Sequence, residues 1–158
     1  MPDWITPNGV DLGKVPLEPM LRRILDEDEG TFSSTCTVLG AMSGHGRRDA
    51  GVFLLGLLSY YRDDLERLSS VVRALGEFHS PEAADALTAE FHRVPASNTT
   101  RRYLDAVLEA LTSLPEELVR GRLVTLSGDR SFSPKRRKKF QSTLWDLDGD
   151  DALHDGGW

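Results

Sequence analysis

The stretch LSSVVRALGEF, residues 68–78, frames the whole chain, because its apolar positions return at a fixed interval on either side of it. A step of 36 residues carries Leu68 to Phe32, Leu104 and Phe140. The same step carries Val72 to Cys36, Leu108 and Leu144, and Leu75 to Leu39, Leu111 and Leu147. All twelve positions are apolar or cysteine in a chain that is 39% hydrophobic, so composition alone does not account for them. A self-similar period of this length is the mark of stacked helical hairpins, each burying its apolar face against the next. The expected fold is all-α: a short α-solenoid of about three hairpins with an N-terminal helix and a C-terminal capping helix.

Downstream of that stretch the local chemistry sets the helix boundaries. In HSPE at 79–82, Ser80 can cap the next helix, Pro81 suits its first position, and Glu82 complements the positive end of its dipole. That helix carries Ala83, Leu87, Phe91 and Val94 on one face before Pro95 stops it. A third hairpin, capped near Asn98 or Thr99, presents Leu104, Val107, Leu108, Leu111 and Leu114, and Pro115 with Glu116 and Glu117 opens its second helix. Gly128 ends that helix. Ser133 and Pro134 then repeat the cap-and-proline signal before a helix over 134–147, whose polar outer face suits a terminal cap.

Upstream, Phe32, Cys36, Leu39 and Met42 share one face of a helix that turns at SGHG, 43–46. The helix expected over 47–62 is apolar nearly all round, which predicts burial on more than one side. Residues 16–29 read as one helix, ended by Gly30, with the acidic run DEDE at its C-terminal end. The resulting division is an irregular arm over 1–15, rich in Pro and Gly, a solenoid over 16–147, and a disordered acidic tail, DGDDALHDGGW, over 148–158.

The segment VVRALGEFHSPEAADALTAEF, 71–91, resembles the bacterial HEAT-like repeat of the phycobilisome-lyase type: an apolar helix ending in Ala-Leu-Gly, a short turn, a Pro-Glu-Ala start and a second apolar helix. VLEALTSLPEELVRGRLVTL, 107–126, is a weaker copy with Thr112 in the glycine position, and 37–58 keeps Leu39-Gly40 without the proline. The resemblance covers about 31–147. It implies an α-solenoid that holds another macromolecule. Some members of that type handle bilins, but no motif in this chain carries that activity over.

Charge narrows the partners. The chain has 19 Lys and Arg against 25 Asp and Glu, a net charge of -6, and residues from 146 onward hold five of the aspartates and none of the cations. The remainder is nearly neutral, which argues against a generally cationic nucleic-acid binder and leaves room for local basic patches. One cysteine excludes an intrachain disulfide framework, and no basic-then-apolar leader or run of roughly 18 apolar residues is present. The expectation is a cytoplasmic protein without a membrane segment.

No catalytic or metal-binding constellation stands out, so no cofactor is expected. Cys36 and His45 could in principle form a nucleophile and base, but Cys36 sits in the repeat register and reads as a packing cysteine. The histidines at 45, 79, 92 and 154 contain no pair four residues apart, and DLDGDD at 146–151 has its glycine too early for a calcium loop. The basic helix starts are more informative. Arg47 with Arg48, Arg101 with Arg102, and KRRKK at 135–139 lie at or near predicted helix starts, and the 36-residue step carries Arg101 and Arg102 to Arg137 and Lys138. Arg47, Arg48, Arg101, Arg102, Arg137 and Lys138 are therefore the candidate partner-binding residues. The expected function is non-catalytic protein binding, as an adaptor, scaffold or small immunity-type inhibitor, against a partner with an acidic surface. The alternative is a nucleic-acid-binding module in which the same row tracks phosphates.

Overall fold

The computed structural model describes residues 2–25 and 28–154. It is mostly helical. After a two-stranded ribbon, β1 (Ile5–Thr6) and β2 (Gly9–Val10), come α1 (Leu17–Ile24), α2 (Glu29–Gly44), α3 (Arg48–Tyr60), α4 (Leu65–Leu75), α5 (Pro81–Arg93), α6 (Arg101–Thr112), α7 (Glu116–Gly128) and α8 (Pro134–His154). The chain divides into two compact units, residues 1–114 and 115–158.

Within the first unit α2 packs on α4 and α4 on α6, so the three helices that carry the repeated register neighbour one another in sequence order. α3 lies against both α2 and α4, α5 lies against α6, and α1 covers part of α2. Eight of the nine register residues of this unit are buried, from Phe32 to Leu111, and Leu104 is half-buried. Each such apolar side chain removed from water contributes on the order of 1.5–3 kcal/mol, so this seam is a substantial part of the core of the unit.

Two glycines set how closely the helices approach. A methyl group on Gly40 would sit 3.1 Å from the Cα of Ala74, and one on Gly76 would sit 3.4 Å from the Cα of Ala110. Both glycines and both alanines are related by the 36-residue step, so the same backbone contact occurs twice along the unit.

The caps behave as local chemistry dictates. Ser80 Oγ accepts from the Ala83 amide at 3.2 Å, and Asp64 Oδ1 accepts from the Arg67 amide at 3.1 Å. The turn after α2 requires Gly46, whose φ of 91° is in the left-handed region.

Several sequence expectations need correction. Gly30 does not end a helix; Asp28 caps α2 by accepting from the Gly30 amide at 2.9 Å, so part of the acidic run starts a helix rather than closing one. Residues 26 and 27 of that run lie outside the described residues. The arm is not wholly irregular, because Ile5 pairs with Val10 and Thr6 with Gly9. Helix α6 is preceded by Thr100, whose hydroxyl donates to the Pro95 carbonyl at 2.7 Å instead of capping the helix. In α3, Ala50, Gly51, Leu54, Leu57 and Leu58 are buried, but Val52 and Tyr60 are exposed, so one face of this apolar helix stays open.

In the second unit α7 packs on α8. Val119, Leu123 and Leu126 of α7 are buried, as are Phe132 and Phe140, whose rings lie 5.6 Å apart. Ser133 caps α8 by accepting from the Arg136 amide at 3.2 Å. The helix continues past residue 147 to His154, so part of the stretch read as a disordered tail is helical, while 155–158 lie outside the described residues.

Candidate functional site

Arg47 precedes α3 and is turned inward. Its Nη1 donates to the carbonyls of Val15 at 2.8 Å, Gly13 at 3.2 Å and Leu12 at 3.4 Å, while Nε and Nη2 grip the two oxygens of Asp49 at 3.0 and 2.8 Å. The hydrogen bonds from Arg47 hold the Asp49 carboxyl below the usual carboxylate range. Arg47 thus fastens the N-terminal arm. Arg48 is exposed and bridges to Glu82 of α5 at 2.6 Å, and that hydrogen bond lowers the Glu82 pKa.

Arg101 and Arg102 differ from both. They occupy the first turn of α6, are exposed, and among the described residues neither side chain has an ion-pair or hydrogen-bond partner. Five helices, α1, α3, α4, α5 and α7, place an acidic residue in that turn, where the helix dipole favours it; α6 places none.

Helix α8 also starts without an acid. Lys138 is exposed there, and Arg137 is half-buried, with an Nε that has no hydrogen-bond partner among the described residues. Arg136 lies over the Phe132 ring at 4.7 Å. The basic run is thus split between tucked arginines and outward lysines. Arg101 and Arg102 belong to the first unit, and Arg137 and Lys138 to the second.

Two features escape the sequence reading. A groove of about 470 Å³ runs between α2 and α4, lined by Thr37, Gly40 and Gly44 on one side and Ser70, Arg73 and Glu77 on the other. Small residues at 33, 37, 40, 41 and 44 follow helical spacing, the one signal that could have found it. The second feature is a buried polar clasp. Glu90 is 5% exposed and receives Tyr103 Oη at 2.6 Å, Arg93 Nε at 2.8 Å and Arg93 Nη2 at 2.5 Å. Arg93 Nη1 also donates to the Arg62 carbonyl at 3.0 Å, so α5 ties the end of α3 to the start of α6. A fully occupied, buried carboxylate of this kind is a structural fastening rather than an open acid or base.

Cys36 is buried, and desolvation pushes its thiol up to about 12, far from the thiolate that nucleophilic chemistry requires. Among the described residues no three His, Cys, Asp or Glu side chains gather as metal ligands, and no helix is long and apolar enough to cross a membrane. No protein-family model, curated protein or solved structure matches the chain.

Proposed function

We propose that this chain is a short HEAT-like α-solenoid that acts without catalysis, holding a protein partner with an acidic surface at basic helix starts. The observation that carries the reading is the first turn of α6. Two exposed arginines stand where the helix dipole disfavours cations, and no carboxylate of the described chain compensates them. Such an arrangement gains stability when an external anionic surface arrives. The recurring contact of Gly40 with Ala74 and Gly76 with Ala110 supports the solenoid, because it repeats one packing unit at the period of the register. The groove between α2 and α4 offers further contact area to a partner.

A second reading, nucleic-acid binding, draws on the exposed lysines at the start of α8. One experiment separates the two. Wild-type and Arg101→Glu/Arg102→Glu baits are used to capture partners from lysate of the source organism, with and without nuclease. The acidic-partner reading expects a stoichiometric protein that survives nuclease and is lost with the reversed bait, while circular dichroism of the variant is unchanged. Undiminished capture by the reversed bait overturns it. Nucleic acid in the eluate, removed by moderate salt or by neutralising the cations at 135–139, establishes the second reading instead.

A further inference from the structure

The ribbon of the N-terminal arm carries the one Asn-Gly pair of the chain, Asn8-Gly9, whereas the other asparagine, Asn98, is followed by Thr99. Thr6 pairs with Gly9 and Ile5 with Val10, so Pro7 and Asn8 form the turn between them. Gly9 has a φ of 135°, which residues with a β-carbon rarely adopt, so the turn itself requires glycine there. A β-carbon built on Gly9 would meet open space. Asn8 is exposed, and among the described residues its side-chain amide has no hydrogen-bond partner. The strands are two residues each and barely buried, with Ile5 38% and Val10 55% exposed. A two-stranded ribbon so short, with so little apolar surface against the core, is marginally stable and opens readily.

We propose that Asn8 is a site of spontaneous covalent modification, with water as the co-reactant and no enzyme required. The backbone nitrogen of Gly9 attacks Cγ of the Asn8 side chain. A bond from that nitrogen to Cγ closes a five-membered succinimide, and the bond from Cγ to Nδ2 breaks, the departing nitrogen taking up the Gly9 amide proton and leaving as ammonia. Water then opens the ring at either carbonyl, which gives aspartate or isoaspartate; nothing is oxidised or reduced. A side chain at position 9 would shield the attacking nitrogen, and the glycine that the turn demands leaves it open. In the closed ribbon Gly9 is held against Thr6, so the attack waits for that pair to part, a step that the exposure of both strands makes easy. Asn98 has no such neighbour, because the branched side chain of Thr99 crowds the nitrogen that would attack. The product carries a new negative charge on the arm, and its isoaspartyl form lengthens the turn by a backbone carbon, which breaks the register of Thr6 with Gly9. The hydrogen bonds from Arg47 to the carbonyls of Leu12, Gly13 and Val15 lie beyond the turn, so the attachment of the arm survives. Neither Arg101 nor Arg102 takes part.

The purified full-length chain, incubated at mildly alkaline pH beside the free peptide ITPNGVD of residues 5–11, tests this by peptide mapping with mass spectrometry. The expected result is the mass gain of an amide turned into an acid, confined to the fragment that holds Asn8 and divided between isoaspartate and aspartate. Its rate should lie within about tenfold of that in the free peptide, because a marginal ribbon offers little resistance to opening. Anion exchange should resolve the same fraction as a more acidic species. Asn8→Gln should lack that species, because the longer side chain closes a six-membered ring far more slowly. Far-UV circular dichroism of the acidic fraction should match that of the unmodified chain, since the helices lie outside the ribbon. Conversion slower than in the peptide by more than about tenfold overturns the proposal. Equal conversion at Asn98 overturns it too, as does an acidic species that persists in Asn8→Gln, and a lost helical signal refutes the survival of the arm's attachment.

Discussion

Replacing Tyr103 by Phe removes one atom from the clasp and tests whether that clasp is a stability element. The phenol donates to Glu90 Oε2 at 2.6 Å, and the two residues are 2% and 5% exposed, so solvent cannot take over the bond. A hydrogen bond to a charged group is worth about 1.5–3 kcal/mol, and the Glu90 carboxylate keeps both of its Arg93 bonds in the variant, so the loss belongs at the lower end, about 1.5–2 kcal/mol. Urea unfolding followed by circular dichroism measures it as a lower midpoint at unchanged slope. A second signature comes from pH. Burial first, and the bond to Glu90 next, raise the Tyr103 pKa above its ordinary value of 10.0. A folded-state pKa that is raised adds stability below the unfolded pKa, and that stability is lost as pH rises above it. The wild-type advantage over Tyr103→Phe should therefore be constant up to about pH 10 and then shrink by about 1.4 kcal/mol per pH unit. A variant within about 0.5 kcal/mol of wild type, or a difference flat through pH 11, would refute the reasoning.

Two further outcomes follow from packing. Gly51→Ala places a methyl carbon 2.5–2.6 Å from the buried Phe78 ring, so a crowding cost of about 1–3 kcal/mol should exceed the roughly 1 kcal/mol that alanine gains in a helix. Urea unfolding should show net destabilisation, and adding Phe78→Leu should cost less than the two single changes predict. For Cys36, labelling by a thiol reagent at pH 8 should be no faster than unfolding, since burial holds the thiol up to about 12; rapid labelling of the folded chain would contradict that.

Much of the helical layout is legible because it is written in local signals. Ser80 with Pro81 and Ser133 with Pro134 start α5 and α8 where their chemistry places them, and Asp64 starts α4. The register is legible because Leu68, Val72 and Leu75 demand burial wherever the period repeats them. What sequence does not supply is non-local or against type. Arg47 reads as a surface cation, yet its acceptors are backbone carbonyls more than thirty positions away, which no side-chain pattern announces. Glu90 lies on the inward face set by Leu87 and Phe91, but a charge is expected in solvent, and only the pairing with Arg93 and Tyr103 permits its burial. The ribbon in the arm turns at Pro7 and Asn8, with Thr6 paired to Gly9, and proline followed by asparagine suits the two central positions of a tight turn, although strands of two residues leave no alternating pattern to announce them. The DGDD stretch reads as tail because its composition disfavours helix, and α8 nevertheless continues through it. Of the candidate site, sequence locates the basic helix starts but does not tell the compensated arginines from the uncompensated ones.

The fastening of the arm by Arg47 constrains the protein in an asymmetric way. Its three acceptors on the arm are main-chain oxygens, which every residue type supplies equally. Exposed arm positions such as Gly13 and Lys14 can therefore change their side chains with little effect on the grip, whereas inserting or removing a single residue between Leu12 and Val15 would shift the carbonyls out of reach. In a set of diverged sequences, the arm would vary in letters but not in length, and the arginine would vary in neither.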